Sequence, residues 1–394
     1  MKQDYLRWAI SKTKTTWWHD SADPAELRRG IERGAIGATT NPFLASIALH
    51  ANKVAWAGEI QKVLAQNPEP EKKAEGLMAI VVRHAAEQLL PQYEKTVGQT
   101  GYVCAQVNPS KAGDREPMLA MARRFSKLAP NIAVKLPATA AGLDVLEDCA
   151  AEGITCTLTI SYTVPQVIAA AERHRRGIQR AKVKGVAPGR CFAVIMIGRL
   201  DDYLREVAHD CCAAATESDI RQAGLAVTKR AYSIYQQQGY EAVLIIAALR
   251  GTYHMTELAG AEVIMSIFPS VQEMLLSNDL PREERIEAEV PPDVVERLSQ
   301  IPDFVRAYEP DGMKPTEFIT YGVTQRTLSQ FIESGWKRME IFDLRSAAER
   351  LPGIDNQPST ITNRTELSME RLTDEANRFY RSWDHGQAHG PEPS

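Results

Sequence analysis

The sequence predicts an α/β protein that folds as a (β/α)8 TIM barrel with extra helices and a C-terminal helical extension. Three observations favour this fold. Short apolar segments rich in β-branched residues recur along roughly the first 270 residues. Most of these segments precede a stretch of helical periodicity, which is typical of parallel strands joined by helical crossovers. Eight such units in a chain of this length fit a closed barrel better than an open doubly wound sheet.

The eight strands are predicted from the apolar segments in chain order. They cover residues 15–19, 36–40, 102–107, 132–136, 154–160, 191–197, 242–247 and 263–267. Helix signals lie between them: Asp23 precedes Pro24 as a cap, and Thr139 is placed to cap a helix after the fourth strand. Residues 55–93 form a long helical stretch between strands two and three.

The chain divides into a barrel over residues 1–280, a helical extension over 281–384 packed on the barrel, and a disordered tail over 385–394. Apolar residues spaced by three and four positions predict two helices in the extension. The first helix is predicted from Val323, Phe331, Ile332 and Trp336, and the second from Met369, Leu372, Ala376, Phe379 and Trp383. We expect the extension to cap the barrel or to build a homodimer contact.

The composition of the chain restricts the classes of partner that it can bind. The formal net charge of −4 argues against broad nucleic-acid binding, which needs a basic surface. No segment approaches the ~20 apolar residues of a membrane span, and the first residues lack a secretory apolar core.

The six cysteines form no metal-binding pattern, so we expect buried free thiols in a cytoplasmic protein. Residues 173–184 form a basic run, which we interpret as a solvated connector, with steering of an anionic substrate as the alternative.

The active site of a parallel barrel lies at the C-terminal ends of its strands. Polar residues at the predicted strand ends provide an amine, a carboxylate, amides, a hydroxyl and two guanidinium groups. They are Asp20, Asn41, Gln106, Lys135, Thr159, Arg199 and Arg250. A convergent set from seven strands points to a catalytic site more strongly than any one member does.

Lys135 is the most informative of these residues because its strand, Ala133-Val134-Lys135-Leu136-Pro137, is otherwise apolar. An ordinary lysine is neutral in only about one molecule in 2,500 at pH 7. Burial disfavours the ammonium form and lowers the pKa, so a buried lysine can serve as a nucleophile. From position alone, a structural ion pair with Asp20 is an equal alternative.

Four segments resemble motifs of the transaldolase family. Residues 37–44, GATTNPFL, resemble its T-T-N-P-S-L signature, and residues 133–139, AVKLPAT, resemble its lysine strand. Residues 152–172 are similar to the block E-G-I-x-x-N-L-T-L-x-F-S-x-x-Q-A, and residues 197–202 resemble V-G-R-I-x-D. The resemblance spans roughly residues 13–275.

The resemblance implies roles for individual residues. Lys135 corresponds to the Schiff-base lysine, and Asp20 corresponds to the acid–base group that takes a proton from the C4 hydroxyl of a ketose. Gln106 stands at a third catalytic position. The other matched residues orient water or bind the substrate, and they are Thr159 for the catalytic water, Asn41 and Thr157 for the sugar, and Arg199 and Arg250 for its phosphate. No metal or organic cofactor is implied.

The sequence also departs from the family pattern. Gln106 stands where transaldolases usually place a glutamate, a feature shared with fructose-6-phosphate aldolases, but Met196 stands where those aldolases place a tyrosine. Thr157 replaces an asparagine. Val194 and Ala248 replace serines that assist the phosphate-binding arginines. Because these changes remove hydrogen-bond donors, we expect an anionic ketose whose anion need not be phosphate.

The expected function is transfer of a dihydroxyacetone unit from such a ketose to an aldose through a lysine Schiff base. Two alternatives stay open. One is an aldolase, a lyase that cleaves or forms a ketose such as fructose 6-phosphate by the same imine. The other is a non-catalytic barrel that acts as a binding protein. The expected partners are small sugars, without nucleic acid or membrane.

Overall fold

The computed structural model describes residues 4–277 and 279–344. Eight parallel strands close into a barrel in sequential order, with the first strand paired to the eighth. The strands are Thr16–Asp20 (β1), Gly37–Thr39 (β2), Tyr102–Gln106 (β3), Ile132–Pro137 (β4), Cys156–Thr159 (β5), Cys191–Met196 (β6), Val243–Ala247 (β7) and Ile264–Ile267 (β8). All eight predicted strands are confirmed, each within a few residues of its expected bounds.

Helices follow the strands and form the outer layer. They are Tyr5–Lys12 (α1), Pro24–Glu32 (α2), Pro42–Ala51 (α3), Ala57–Gln66 (α4), Pro70–Lys95 (α5), Arg115–Phe125 (α6), Ala140–Ala151 (α7), Val164–Val183 (α8), Ile197–Asp210 (α9), Glu217–Gln238 (α10), Thr252–Thr256 (α11), Pro269–Ser277 (α12), Pro292–Leu298 (α13), Pro302–Tyr308 (α14), Gly322–Phe331 (α15) and Lys337–Glu340 (α16). Short 3-10 helices occupy Pro109–Lys111 and Pro315–Thr320, and a π-helical turn occupies Ile332–Trp336.

The predicted helix signals act as caps. The Asp23 carboxylate accepts hydrogen bonds from the backbone N–H groups of Ala25 and Glu26, and the Thr139 hydroxyl accepts one from Gly142. The long helical stretch over 55–93 is divided into α4 and α5, because Pro68 and Pro70 interrupt the helix between them.

Aromatic side chains fill the lower end of the barrel interior. The Trp18 and Phe192 rings lie 4.8 Å apart between centroids, and Tyr102 lies 5.4 Å from Phe192. Gly37 faces Trp18 so closely that an added Cβ would lie 2.5 Å from the indole ring. This packed layer closes one end of the barrel and leaves the opposite end, where the strands terminate, for a pocket.

The basic run over 173–184 is not a solvated connector but the second half of α8. Arg173, Arg176 and Arg180 form ion pairs with the Glu147 carboxylate on α7. Because α8 starts after the carboxyl end of β5 and returns toward the start of β6, the run lies toward the end of the barrel opposite the pocket. Its charges therefore hold two neighbouring helices together.

Four of the six cysteines are buried and all six are free, but Cys211 and Cys212 are exposed, so the expectation of burial is wrong for these two. They lie just after α9 in the turn that leads to α10, where a thiol can contact solvent. Among the described residues, no helix combines the length and the apolar composition needed to cross a membrane.

The chain after the last strand continues as helices on the barrel surface. α13 and α14 pack against α10, and α16 packs against α5. The helix predicted over 323–336 is present as α15 and the following π-helical turn. The helix predicted over 369–383 and the tail over 385–394 lie outside the described residues, and the division into barrel, extension and tail stays a prediction.

Candidate active site

A pocket lies at the end of the barrel where the strands terminate. It lies between the strand ends and the C-terminal helices. Its lining residues are Asp20, Thr39, Asn41, Lys135, Thr159, Val194, Met196, Arg199, Ala247, Ala248, Ser266 and Phe331. Five of the eight predicted site residues therefore share one pocket; Gln106, Thr157 and Arg250 lie outside its lining.

Lys135 projects into the barrel interior from the middle of β4. Its side chain is 6% exposed, and its Nζ donates a hydrogen bond to the carbonyl oxygen of Thr40 at 2.9 Å. Burial lowers the pKa of Lys135, and the positive charge of Arg199 lowers it further, against opposing effects of Cys104 and Asp20. The net lowering of the pKa increases the fraction of neutral amine, which is the form that attacks a carbonyl carbon.

Asp20 ends β1 and lines the same pocket with 6% of its surface exposed. The Thr39 hydroxyl lies 2.8 Å from the Asp20 carboxylate, to which it donates, and 2.6 Å from the hydroxyl of Ser266. These contacts fix the carboxylate toward the pocket. Sequence reasoning missed Thr39 and Ser266. The sequence does contain a signal for them: both residues lie near the ends of β2 and β8, the two strands that pair with β1, which carries Asp20.

Asn41 combines a structural contact with a place in the pocket. Its side-chain oxygen accepts hydrogen bonds from the backbone N–H groups of Phe43 and Leu44, at 2.9 and 3.0 Å, and so caps α3. Since the oxygen is engaged by the helix, the orientation of the amide is fixed. The amide nitrogen is then the group of Asn41 that can donate to a ligand in the pocket.

The predicted site residues on the two strands that flank β4 lie at different depths in the barrel. Gln106 and Thr157 are the register partners of Lys135 on β3 and β5. Their side chains therefore point into the barrel, as that of Lys135 does. The Thr157 hydroxyl accepts a hydrogen bond from the Cys104 thiol at 3.4 Å, below the pocket. Thr159, two residues further along, lines the pocket itself.

Gln106 is buried, and its side-chain oxygen has no hydrogen-bond partner within residues 4–277 and 279–344. A buried amide oxygen without a partner is costly, by roughly 1–3 kcal/mol. A water molecule or a substrate hydroxyl beside Lys135 would supply that partner.

The two arginines have different surroundings. Arg199, in the first turn of α9, is 9% exposed, lines the pocket, and donates from Nη1 to the side-chain oxygen of Gln330 at 2.7 Å. Arg250 follows β7 and forms a two-contact ion pair with the Asp202 carboxylate, at 2.8 and 2.7 Å. Arg199 therefore borders the pocket directly, and Arg250 is held beside it by a carboxylate.

One side of the pocket is apolar. Val194, Met196, Ala247 and Ala248 follow one another around β6 and β7 and place no side-chain hydroxyl or amide there. The backbone of Ala248 is in the left-handed region with φ of +59°, a conformation that costs an alanine about 1–2 kcal/mol. Such strain is typical of functional sites, where the surrounding structure holds the conformation.

His19, next to Asp20 in sequence, points away from the pocket and packs among the helices. It is buried, and its Nδ1 lies 2.9 Å from the Gln272 amide nitrogen, the donor of this pair. Burial lowers the pKa of His19 to about 3, with further lowering by Arg29 and Arg33. It is a neutral packing residue.

A buried histidine supports the loop that carries Arg250. The backbone N–H of Arg250 donates to His254 Nδ1 at 3.1 Å, so Nε2 carries the proton and donates to the Asp201 carboxylate at 2.9 Å. The His254 and Asp201 side chains are 0% and 1% exposed.

The substitution His254→Ala is expected to lower the free energy of unfolding by about 3 kcal/mol, because it leaves the buried Asp201 carboxylate with the backbone N–H of Gly224 and without its side-chain partner. Urea denaturation followed by circular dichroism measures the change. His209→Ala, at a side chain 90% exposed, is the control and should leave stability unchanged. Equal stability of the two variants would contradict a supporting role of this pair.

No group of three or more His, Cys, Asp or Glu side chains that could hold a metal ion occurs within the described parts of the chain. The chemistry that the pocket can perform with its own groups is imine formation on a neutral amine, with a carboxylate beside it for proton transfer.

Comparison with known proteins gives the family. The profile of the Transaldolase/Fructose-6-phosphate aldolase family matches residues 17–314. Among curated proteins, the chain is 31% identical over 216 residues to a transaldolase of Neisseria gonorrhoeae, 28% identical over 255 residues to one of Thiobacillus denitrificans, and 29% identical over 241 residues to one of Thermobifida fusca. These matches cover 54, 61 and 58% of this chain, and 59, 70 and 64% of the respective relatives. The family match extends past residue 275, where the resemblance seen in the sequence ends. The chain belongs to the Transaldolase/Fructose-6-phosphate aldolase family.

Proposed function

We propose that this chain is a transaldolase-type transferase that moves a dihydroxyacetone unit from an anionic ketose to an aldose acceptor. The observation that supports this most strongly is the buried amine of Lys135 in one pocket with the carboxylate of Asp20. Burial lowers the pKa of the amine and so favours its uncharged form, and the carboxylate supplies the base that carbon–carbon cleavage needs.

The reaction begins when the Lys135 amine attacks the C2 carbonyl of the ketose and the carbinolamine loses water to give an iminium ion. Asp20 takes the proton from the C4 hydroxyl, the C3–C4 bond breaks, and its electron pair moves into the iminium to form an enamine. The shortened aldose leaves. The enamine then attacks the aldehyde carbon of a second aldose, Asp20 returns the proton, and water hydrolyses the new iminium. The amine itself provides the electron sink, so no metal or organic cofactor is required.

The other predicted site residues, in the pocket lining or next to it, bind and orient the substrate in this proposal. The Asn41 amide nitrogen donates to sugar hydroxyls, and Gln106 and Thr159 hold the water that is released and consumed in the imine steps. Arg199 and Arg250 provide positive charge for the anionic end of the ketose, since guanidinium groups bind oxyanions with two parallel hydrogen bonds.

The test is transfer itself. Incubation with fructose 6-phosphate and an aldose acceptor such as erythrose 4-phosphate should produce a new ketose and glyceraldehyde 3-phosphate in equal amounts, measured by chromatography. Turnover without the acceptor should be at least about ten times slower, because the enamine then has no partner except solvent. Absence of any new ketose across a panel of phosphorylated and other anionic ketoses would contradict the proposal.

A lyase is the second candidate. Two observations favour it: Gln106 next to Lys135, and the apolar wall formed by Val194, Met196, Ala247 and Ala248, which leaves few donors for a phosphate. A lyase would release free dihydroxyacetone at the same rate with and without acceptor, so the incubation above separates the two reactions.

We infer further that the partners are small anionic sugars rather than nucleic acid or membrane, in keeping with the net charge of −4. The six free thiols support a reducing compartment such as the cytoplasm. A homodimer built through the C-terminal extension remains part of this proposal.

A further inference from the structure

The pocket contains one residue that no strand end supplies. Phe331 lines it from the last turn of α15, and the neighbouring residue Gln330 bonds to Arg199. Both residues lie beyond residue 314, where the match to the family ends. The part of the chain that the family profile does not describe therefore contributes to the pocket.

The α15 helix is fixed over the barrel mouth by buried contacts. The Tyr162 hydroxyl, from the loop after β5, donates to the Thr327 hydroxyl at 2.5 Å and lies 3.3 Å from the carbonyl oxygen of Val323. At the other end, Gly335 in the π-helical turn packs against α3 so tightly that an added Cβ would lie 2.5 Å from the backbone nitrogen of Phe43. Since both ends are anchored, Gln330 and Phe331 are held in defined positions.

Both residues contact the guanidinium of Arg199. Its Nη1 donates to the Gln330 side-chain oxygen at 2.7 Å, and its central carbon lies 5.6 Å from the centroid of the Phe331 ring. The ring face attracts the cation and shields it from water. The Gln330 amide is neutral and leaves the positive charge of Arg199 in place. By contrast, the Asp202 carboxylate brings a negative charge to Arg250.

The side-chain amide of Gln330 can contact Arg199 and a bound oxyanion at the same time. Its oxygen can hold Arg199, and its nitrogen carries two further hydrogen-bond donors. Val194 and Ala248, on the wall near Arg199, supply no side-chain donor. The Gln330 amide therefore offers an oxyanion at Arg199 donors that these two wall residues do not.

We propose that Gln330 and Phe331 are specificity-determining residues that, together with Arg199, recognise the oxyanion group at the end of the ketose. This inference rests on the proposed function. Gln330 donates to the oxyanion from its amide nitrogen, and Phe331 fixes the guanidinium plane and excludes water from it.

The experiment compares Gln330→Glu and Gln330→Ala with the control Ser329→Ala, an exposed neighbour on the same helix. Donor kinetics are measured with fructose 6-phosphate and with unphosphorylated fructose, and binding of inorganic phosphate is measured by calorimetry. Glutamate at 330 should raise KM for fructose 6-phosphate and the Kd of phosphate by about ten-fold or more, because a like charge faces the anion. The kcat for the phosphorylated donor and kcat/KM for fructose should change by less than about two-fold. Alanine at 330 should show a smaller effect of the same pattern.

Equal losses with the phosphorylated and unphosphorylated donors, or no change in KM and Kd, would overturn the inference. If the wild-type protein turns over no ketose, the proposed function fails, and the calorimetric comparison still decides whether Gln330 belongs to an oxyanion site. If the wild-type protein transfers the three-carbon unit but phosphate binding is the same in all three variants, the inference fails and the proposed function stands.

Discussion

Replacing Lys135 with methionine is expected to lower kcat at least about a thousand-fold and, in the same protein, to raise the free energy of unfolding. The loss follows because, among the described residues that line the pocket, no other side chain is an amine that could form the imine. The gain follows because methionine fills much of the same space without a buried ionisable amine, whose desolvation costs the folded protein on the order of 1 kcal/mol or more.

The pH dependence of stability tests the same property of Lys135. Its pKa in the folded protein is lowered by burial, so the unfolded chain binds more protons between the folded value and the ordinary value of 10.5. The stability of the wild-type protein relative to Lys135→Met should therefore rise with pH across that interval. Below the folded pKa both states are protonated, and the full cost of the buried ammonium remains.

Activity assays and urea denaturation at several pH values measure these effects. Lys127→Met, at an exposed position after α6, is the matched control and should change neither activity nor stability. A Lys135→Met protein that keeps more than a tenth of its activity, or that is less stable than wild type at every pH, would contradict the assigned role.

Replacing Asp20 with asparagine is expected to lower kcat by about 10²- to 10⁴-fold, the usual contribution of a positioned acid–base group. An asparagine oxygen can still accept the hydrogen bond from Thr39, so the geometry of the pocket is kept. What is lost is the ability to take the proton from the C4 hydroxyl. Imine formation on Lys135 should continue, because that step uses the amine.

The Asp20→Asn protein should therefore accumulate the donor imine, and borohydride should trap it at least as fully as in wild type. Asp23→Asn is the control three residues away: asparagine caps a helix as well as aspartate does, so activity should be unchanged. If Asp20→Asn turns over at the wild-type rate, the base in carbon–carbon cleavage is another group.

The barrel and much of the pocket were predictable because they rest on local signals. Alternating strand and helix patterns determine parallel pairing, and parallel pairing brings the strand ends together. Lys135 could be recognised because a single charged residue interrupts an apolar strand.

The contributions of Thr39, Ser266 and Gln330 could not be predicted in the same way. Hydroxyl residues are ordinary in strands. The contact of Thr39 with Asp20, and of Ser266 with Thr39, depends on the register between β1, β2 and β8. Gln330 reaches Arg199 across 131 positions of sequence, through a helix whose placement depends on the buried contacts of Tyr162 and Gly335. The charge run over 173–184 was misinterpreted because its carboxylate partners lie on a different helix.

Borohydride reduction of the protein in the presence of fructose 6-phosphate, followed by intact-mass analysis and peptide mapping, tests the central claim most directly. We predict one adduct per chain, located on the peptide that contains Lys135 and lost in Lys135→Met. No adduct with any ketose, or an adduct on another lysine, would contradict the assignment of the buried amine as the nucleophile.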